Sequence, residues 1–165
     1  MQPTFASLDP LRAIGVSGVV PSSFAPDAGD SAVKIEALWG QLFSALGIQP
    51  GTPGWDFVGV TTPADDLVPP HRITYCAVVT ELSTTPLPAL LDEFVLDGGE
   101  YIVFSYEGPH DGLDTFYQET YMDRLPEFDV ATRESQHLER YPAGGSADAM
   151  RAEAWIPITR GRASS

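Results

Sequence analysis

The stretch that decides the fold is the C-terminal run Met150-Arg-Ala-Glu-Ala-Trp-Ile-Pro-Ile158. It reads as a strand, and a strand turns successive side chains to opposite faces. Ala152, Ala154 and Ile156 therefore share one face, small and apolar enough to lie beneath helices. Glu153 and Trp155 share the other, a carboxylate beside a large aromatic. A lone strand glutamate most often faces water or pairs with a neighbouring arginine. Whether that ordinary reading holds depends on what the chain builds around it.

Upstream of this run, residues 136–141 read as a short strand, joined to it by the turn Pro142-Ala-Gly-Gly-Ser146. Residues 127–131 look irregular. Before them, Leu113, Phe116, Tyr117, Tyr121 and Leu125 fall at helical spacing, with Asp111 placed to cap the helix and Pro126 to stop it. The run Glu100-Tyr-Ile-Val-Phe-Ser-Tyr106 is strongly β-prone, enters from a Gly98-Gly99 turn and ends at Gly108-Pro109. A further short strand is expected over 90–96.

The first half repeats this order of elements. Strands are expected over 4–8 and 11–20, broken at Asp9-Pro10, where proline removes a ladder donor. Ile35, Leu38, Trp39, Leu42, Phe43 and Leu46 form a complete amphipathic stripe, with Asp30 or Ser31 as cap and Gly47 with Pro50 as stop. Strands over 55–61 and 73–82 follow, with an exposed loop between them that holds Asp65 and Asp66. Two adjacent aspartates do not supply the converging oxygens a metal needs.

Strand, helix, strand, strand thus occurs twice, over about 11–81 and 90–159, with little identity between the halves. The expected fold is α+β: duplicated βαββ units related by pseudo-two-fold symmetry, an antiparallel sheet with both helices on one face. The other sheet face is expected to be open, and a ligand cleft to lie between the halves. Residues 1–160 read as a single domain and 161–165 as a frayed tail.

With 165 residues, 43% hydrophobic and 10% aromatic, the chain can bury one sizeable core. Nine Lys and Arg against 23 Asp and Glu give a formal charge of −14. Such a surface repels nucleic-acid phosphates and anionic membranes, and favours cationic or neutral ligands or basic protein partners. No apolar run approaches the roughly 18 residues of a membrane span, and no signal peptide is evident, so a cytoplasmic protein is expected. The single Cys76 lies in a strand and reads as a buried structural thiol. His71, His110 and His137 lack metal-ligand spacing, and there is no phosphate-binding glycine motif. No metal or cofactor is therefore expected.

Several segments together resemble GyrI-like effector-binding domains. These are Val68-Pro-Pro-His-Arg-Ile-Thr-Tyr-Cys-Ala-Val-Val79, Gly99-Glu-Tyr-Ile-Val-Phe-Ser-Tyr-Glu-Gly108 with the helix after it, Arg124-Leu-Pro-Glu127, Leu138-Glu-Arg-Tyr-Pro142 and Glu153-Ala-Trp-Ile-Pro-Ile158. The resemblance runs from about residue 3 to residue 159. The family includes gyrase-inhibitor proteins, ligand-sensing halves of AraC-type and MerR-type regulators, and free-standing members. It implies a duplicated βαββ fold and a cleft that takes bulky aromatic cations over a buried glutamate of the last strand, matched by Glu153. Some free-standing members are hydrolases that open cyclopropane-type electrophiles with the same acid. Two departures stand out. No DNA-binding domain is expected within these residues, and Tyr106 stands where many members carry histidine.

On this reading Glu153, Trp155, Tyr75, Phe57, Trp39 and Tyr121 are the expected ligand contacts. A carboxyl desolvated by aromatic walls has its pKa pushed up. Ionised, it complements a cation, while the rings add cation–π contacts worth on the order of 2 kcal/mol each. Near neutrality it could instead act as a general acid–base, with Glu153 and Tyr75 as the catalytic pair. Trp39 and Phe43 also fit a plain core role, and Tyr75 an ordinary cross-strand one. The function expected is the sensing or sequestration of a hydrophobic, cationic or aromatic small molecule. The alternatives are hydrolysis in the same cleft or a protein-interaction role, with a topoisomerase for example, through the acidic surface.

Overall fold

Alternating apolar residues, rich in Val, Ile and aromatics, form nine strands among the described residues of the computed structural model, which are 2–21, 31–48, 56–62, 72–80, 90–142 and 149–160. In chain order the elements are β1 (Thr4–Leu8), β2 (Leu11–Pro21), α1 (Ser31–Leu46), β3 (Phe57–Thr62) and β4 (Arg72–Val79). There follow β5 (Asp92–Leu96), β6 (Gly99–Gly108), α2 (Leu113–Glu119), β7 (Val130–Thr132), β8 (His137–Tyr141) and β9 (Met150–Arg160). Trp55, His71 and the expected loops at 63–71 and 143–148 lie outside the described residues.

The two expected helices form. Helix α1 covers the predicted stripe. Helix α2 is shorter than its periodicity suggests, because a π turn (Thr120–Arg124) and a 3₁₀ turn (Leu125–Glu127) take over its second half. Asp111 does not cap it. It sits in a preceding 3₁₀ turn (His110–Gly112), and Gly112 begins the helix without a side-chain cap. The expected irregular segment at 127–131 contains the start of β7, which pairs with β9.

The strand order is β1-β6-β9-β8-β3-β4-β2-β5, antiparallel throughout. Strands β1 and β2 are joined by Asp9-Pro10 alone, yet they lie towards opposite ends of this order. A link of two residues reaches roughly 10 Å, whereas flat strands at about 4.8 Å spacing would put these ends far beyond it. The sheet therefore curls until its edges approach. Strands β5 and β6, joined by Asp97-Gly98, impose the same closure from the other side. Gly98 and Gly99 take φ of +83° and +106°, open to glycine at little cost, and a Cβ on Gly98 would strike the Leu8 carbonyl oxygen.

Side chains of the β7–β8 connection hold this seam. Arg133 donates to the carbonyls of Ile158 (2.9 Å), Glu100 (3.0 Å) and Gly98 (3.2 Å), and its guanidinium lies 5.5 Å from the Tyr101 ring centre. Gln136 accepts from Asp97 N and donates to Val95 O, so one side chain satisfies the edge of β5 from both sides.

The curl corrects one expectation. The sheet face away from the helices is not open, because it wraps round its own core of Val58, Val60, Val78, Tyr101, Val103 and Leu138. Cys76 belongs to this core, and burial pushes its thiol up to about 11, in keeping with a structural role. Both helices do lie on the same, outer face. There α1 covers Val16, Tyr75 and Ala77, while α2 covers Phe104, Ala154 and Ile156.

Candidate functional site

The pairing registers line up one row of residues across the outer face: Phe104, Ala154, Glu139, Gly59, Ala77 and Val16. All but Glu139 are small or apolar. The row runs from beneath α2 to beneath α1, and Glu139 on β8 falls at its middle, between the two helices. Glycine at the next strand position is required here. A Cβ on Gly59 would collide with the Tyr75 hydroxyl and come within 2.9 Å of Glu139 Oε1.

That space admits a hydrogen-bonded cluster. The Tyr75 hydroxyl donates to Glu139 Oε1 over 2.9 Å, and the Tyr141 hydroxyl donates to the same oxygen over 3.0 Å. Trp39 Nε1 on α1 donates to the Tyr75 oxygen at 3.1 Å. From α2, the Tyr117 hydroxyl approaches that of Tyr141 at 3.5 Å. Trp39 meets the Tyr141 ring edge-on at 5.9 Å and stands against Phe57 at 6.3 Å, with Phe43 behind both. The acid is thus walled by rings from both helices.

Burial is the main cause of its electrostatics. It pushes the Glu139 carboxyl above the usual range, with a smaller push from Asp114, while the Tyr75 and Tyr141 hydrogen bonds pull the other way. Burial also raises Tyr75, Tyr117 and Tyr141, and the Glu139 charge adds to each, so these phenols keep their protons. Because both phenols donate to Oε1, the acid form has Oε2 as the natural seat of its proton. Ionised, the group is a charge held by two donors in an aromatic enclosure. Neutral, it is a hydrogen-bond donor.

The rim continues along β8. His137 sits two residues before Glu139, on the same face, and its Nδ1 lies 2.8 Å from the hydroxyl of Tyr121 in the π turn. Thr120, next to Tyr121, is fully buried and donates its hydroxyl to the Phe116 carbonyl.

Of the expected site residues, Tyr75, Trp39, Phe57 and Tyr121 gather round this cluster. Glu153 and Trp155 do not. Both project from β9 to the inner face, opposite Tyr75, so the expectation that Tyr75 and Glu153 share one cleft is corrected. Trp155 Nε1 donates to Glu153 Oε1 (3.0 Å), and the ring lies against Tyr101. Arg140 stacks over Trp155 at 4.8 Å while it pairs with Asp56 at 2.5 Å. Glu153 borders a half-open pocket that Ser105, Tyr106, Glu107, Pro142 and Arg151 also line. Tyr106 stands apart too, its hydroxyl tied to the Pro109 carbonyl.

The parity assigned to β9 holds, and it sets Glu153 on the inner face, away from the helices. The register Glu139↔Ala154 brings the acid of the helix-facing row from β8. The signal that could have found it is the triplet His137, Glu139, Tyr141, three polar or aromatic residues on one face of a strand set in the centre of the sheet. Among the described residues no group of three His, Cys, Asp or Glu side chains could hold a metal ion, and no helix is long and apolar enough to cross a membrane.

A curled antiparallel sheet that carries two helices is the fold of a known small-molecule-binding family. The chain belongs to the GyrI-like family, matching the GyrI-like small molecule binding domain over residues 1–159. It is similar to the Right origin-binding protein of Escherichia coli K12, 28% identical over 106 residues, 61% of this chain and 37% of that protein. It is also similar to the transcriptional regulator Rob of Salmonella typhimurium, 35% identical over 72 residues, 40% of this chain and 25% of the regulator. The chain thus matches well under half the length of these relatives. Among solved structures the fold resembles SAV2435 bound to tetraphenylphosphonium (TM-score 0.72, 15% identity, 96% of this chain and 94% of that one). It equally resembles an integron cassette protein of Vibrio cholerae (TM-score 0.72, 16% identity, 96% of each chain). The EcmrR C-terminal domain is a third (TM-score 0.59, 13% identity, 97% and 98%).

Proposed function

We propose that this chain binds a lipophilic, aromatic cation between α1 and α2, over Glu139, as a sensing or sequestering domain. The observation that carries the reading is the half-buried Glu139 carboxyl, held by Tyr75 and Tyr141 and walled by Trp39 and Tyr117. A desolvated carboxylate attracts a cation strongly, and the rings add cation–π and apolar contact without demanding one ligand shape. The tetraphenylphosphonium ligand of SAV2435 has this chemistry. The strand order supports reading the fold as two βαββ copies, since β3-β4-β2 and β8-β9-β6 run outward in matching sequence from the central β3–β8 pair.

The test is titration with tetraphenylphosphonium, read by tryptophan fluorescence and calorimetry. Glu139→Gln should weaken binding at least about tenfold, the loss of one charged contact of roughly 1.4 kcal/mol. Glu153→Gln, on the other face, should bind like the unmodified chain. Equal affinity of Glu139→Gln and the unmodified chain would remove the proposal.

A further inference from the structure

We propose that His137, oriented by Tyr121, forms a second, polar subsite at the rim of the cleft, which selects aromatic cations bearing a hydrogen-bond-acceptor oxygen. The inference rests on the cation-binding reading and narrows its ligand class. His137 and Glu139 are alternate residues of β8, so they face the same way about 7 Å apart along the strand. A ligand whose charge sits over Glu139 therefore extends its periphery to His137.

The chemistry of the pair defines what His137 offers. Its Nδ1 lies 2.8 Å from the Tyr121 hydroxyl, with the ring centres 5.8 Å apart. A phenol is a better donor than a neutral imidazole N–H, and an imidazole nitrogen a better acceptor than a phenol oxygen. The proton in this bond therefore belongs to Tyr121, and Nδ1 accepts it. Partial burial lowers the histidine's pKa, which favours the neutral ring. A neutral ring that accepts at Nδ1 carries its own proton on Nε2. Among the described residues the ring's hydrogen bond is the one to Tyr121, which leaves Nε2–H as a donor. Ether, ester and carbonyl oxygens are its complements; a second cationic centre is not.

Tyr121 is placed for this by the backbone. It follows Tyr117 by four residues, so the two rings reach β8 one above the other, Tyr117 at Tyr141 and Tyr121 at His137. Tyr121 remains 38% exposed, which sets the pair at the entrance.

The experiment compares (4-ethylphenyl)triphenylphosphonium with (4-methoxyphenyl)triphenylphosphonium, which has an ether oxygen in place of a methylene para to phosphorus. The unmodified chain should favour the methoxy compound about three- to tenfold, the worth of one hydrogen bond to a half-buried donor. His137→Leu should bring that ratio to about one, and His137→Gln, which keeps an N–H donor, should retain part of it. Tyr121→Phe should lower it by freeing the ring's tautomer. Thermal unfolding of each variant shows that the fold is kept. Equal affinities in the unmodified chain, or an unchanged ratio in His137→Leu, would overturn the subsite. If tetraphenylphosphonium binds and Glu139→Gln weakens it while the methoxy group gains nothing, only the His137 proposal falls. If neither compound binds, both readings fall.

Discussion

The Tyr75 hydroxyl donates to Oε1 of Glu139 over 2.9 Å, although 64 residues separate the two in the chain. The bond joins β4 to β8 across β3, and it passes over Gly59, the one residue between them without a side chain. Strand register, glycine placement and the state of the acid are coupled at this point.

Cation affinity should depend on pH through Glu139. Its folded-state pKa is raised by burial, so the acid is neutral below that raised value and a cation must displace its proton. Affinity for tetraphenylphosphonium should rise by up to about tenfold per pH unit below the raised pKa and level off above it. Calorimetry in buffers of different ionisation enthalpy should show proton release on the rising limb. A flat profile in the unmodified chain would count against Glu139 as the contact.

Tyr75→Phe should move that profile to higher pH. The Tyr75 and Tyr141 hydrogen bonds stabilise the charged form, and removal of one raises the pKa further. The loss also leaves Trp39 Nε1 without its phenol acceptor, at a cost of about 1–3 kcal/mol. The shift of the binding midpoint separates the electrostatic effect from simple loss of stability.

Stability should respond to the same group. Because the carboxyl's pKa is raised on folding, its contribution is fully present below the usual carboxyl pKa and is lost as pH rises through the folded value. Glu139→Gln cannot ionise, so it should unfold at a higher temperature than the unmodified chain above that folded value, with the gap closing in acid. Thermal scans from pH 4 to pH 9 read the difference.

Gly59→Ala should destabilise and impair binding together. The new methyl meets the Tyr75 hydroxyl and stands 2.9 Å from Glu139 Oε1. Overpacking of this kind costs about 1–3 kcal/mol, which lowers Tm by about 2–4 °C per kcal/mol in a domain of this size. An unchanged Tm would show that the cluster is looser than its geometry indicates.

Arg133→Ala should weaken the fold and spare the site. Three backbone carbonyls, those of Gly98, Glu100 and Ile158, lose one shared donor group. The expected cost is on the order of 2 kcal/mol, read by denaturant unfolding. Residual tetraphenylphosphonium affinity at low temperature should stay near that of the unmodified chain.

Local pattern carried the elements. The Ile35–Leu46 stripe specified α1, the β-branched and aromatic run at 100–106 specified β6, and the Gly98-Gly99 turn took the positive φ that its residue types permit. The alternation of β9 correctly put Ala154 and Ile156 beneath a helix, with Ala152 buried on the same face. Helix α2 was legible in place but not in form, since spacing alone cannot distinguish a continuing α-helix from the π turn at Tyr121. Four residues of the proposed site, Trp39, Phe57, Tyr75 and Tyr121, could be named from their strand parity, helical spacing and aromatic character.

The acid could not. Glu139 and Glu153 are both strand glutamates beside aromatic neighbours, and periodicity says only that each has a face. Which face is roofed by helices and which curls inward follows from the order of strands in the sheet, and that order is set by contacts between residues far apart in the chain. The sequence by itself determined the place of both helices, most of the strands, the family and the aromatic character of the proposed cleft, because these rest on local periodicity and residue type. Only the tertiary structure decided that β8 lies at the centre with Glu139 between the helices, and that Glu153 turns away with Trp155. The physical reason is register: one pairing, Glu139 against Ala154, sends adjacent glutamate-bearing strands to opposite sides of the same sheet.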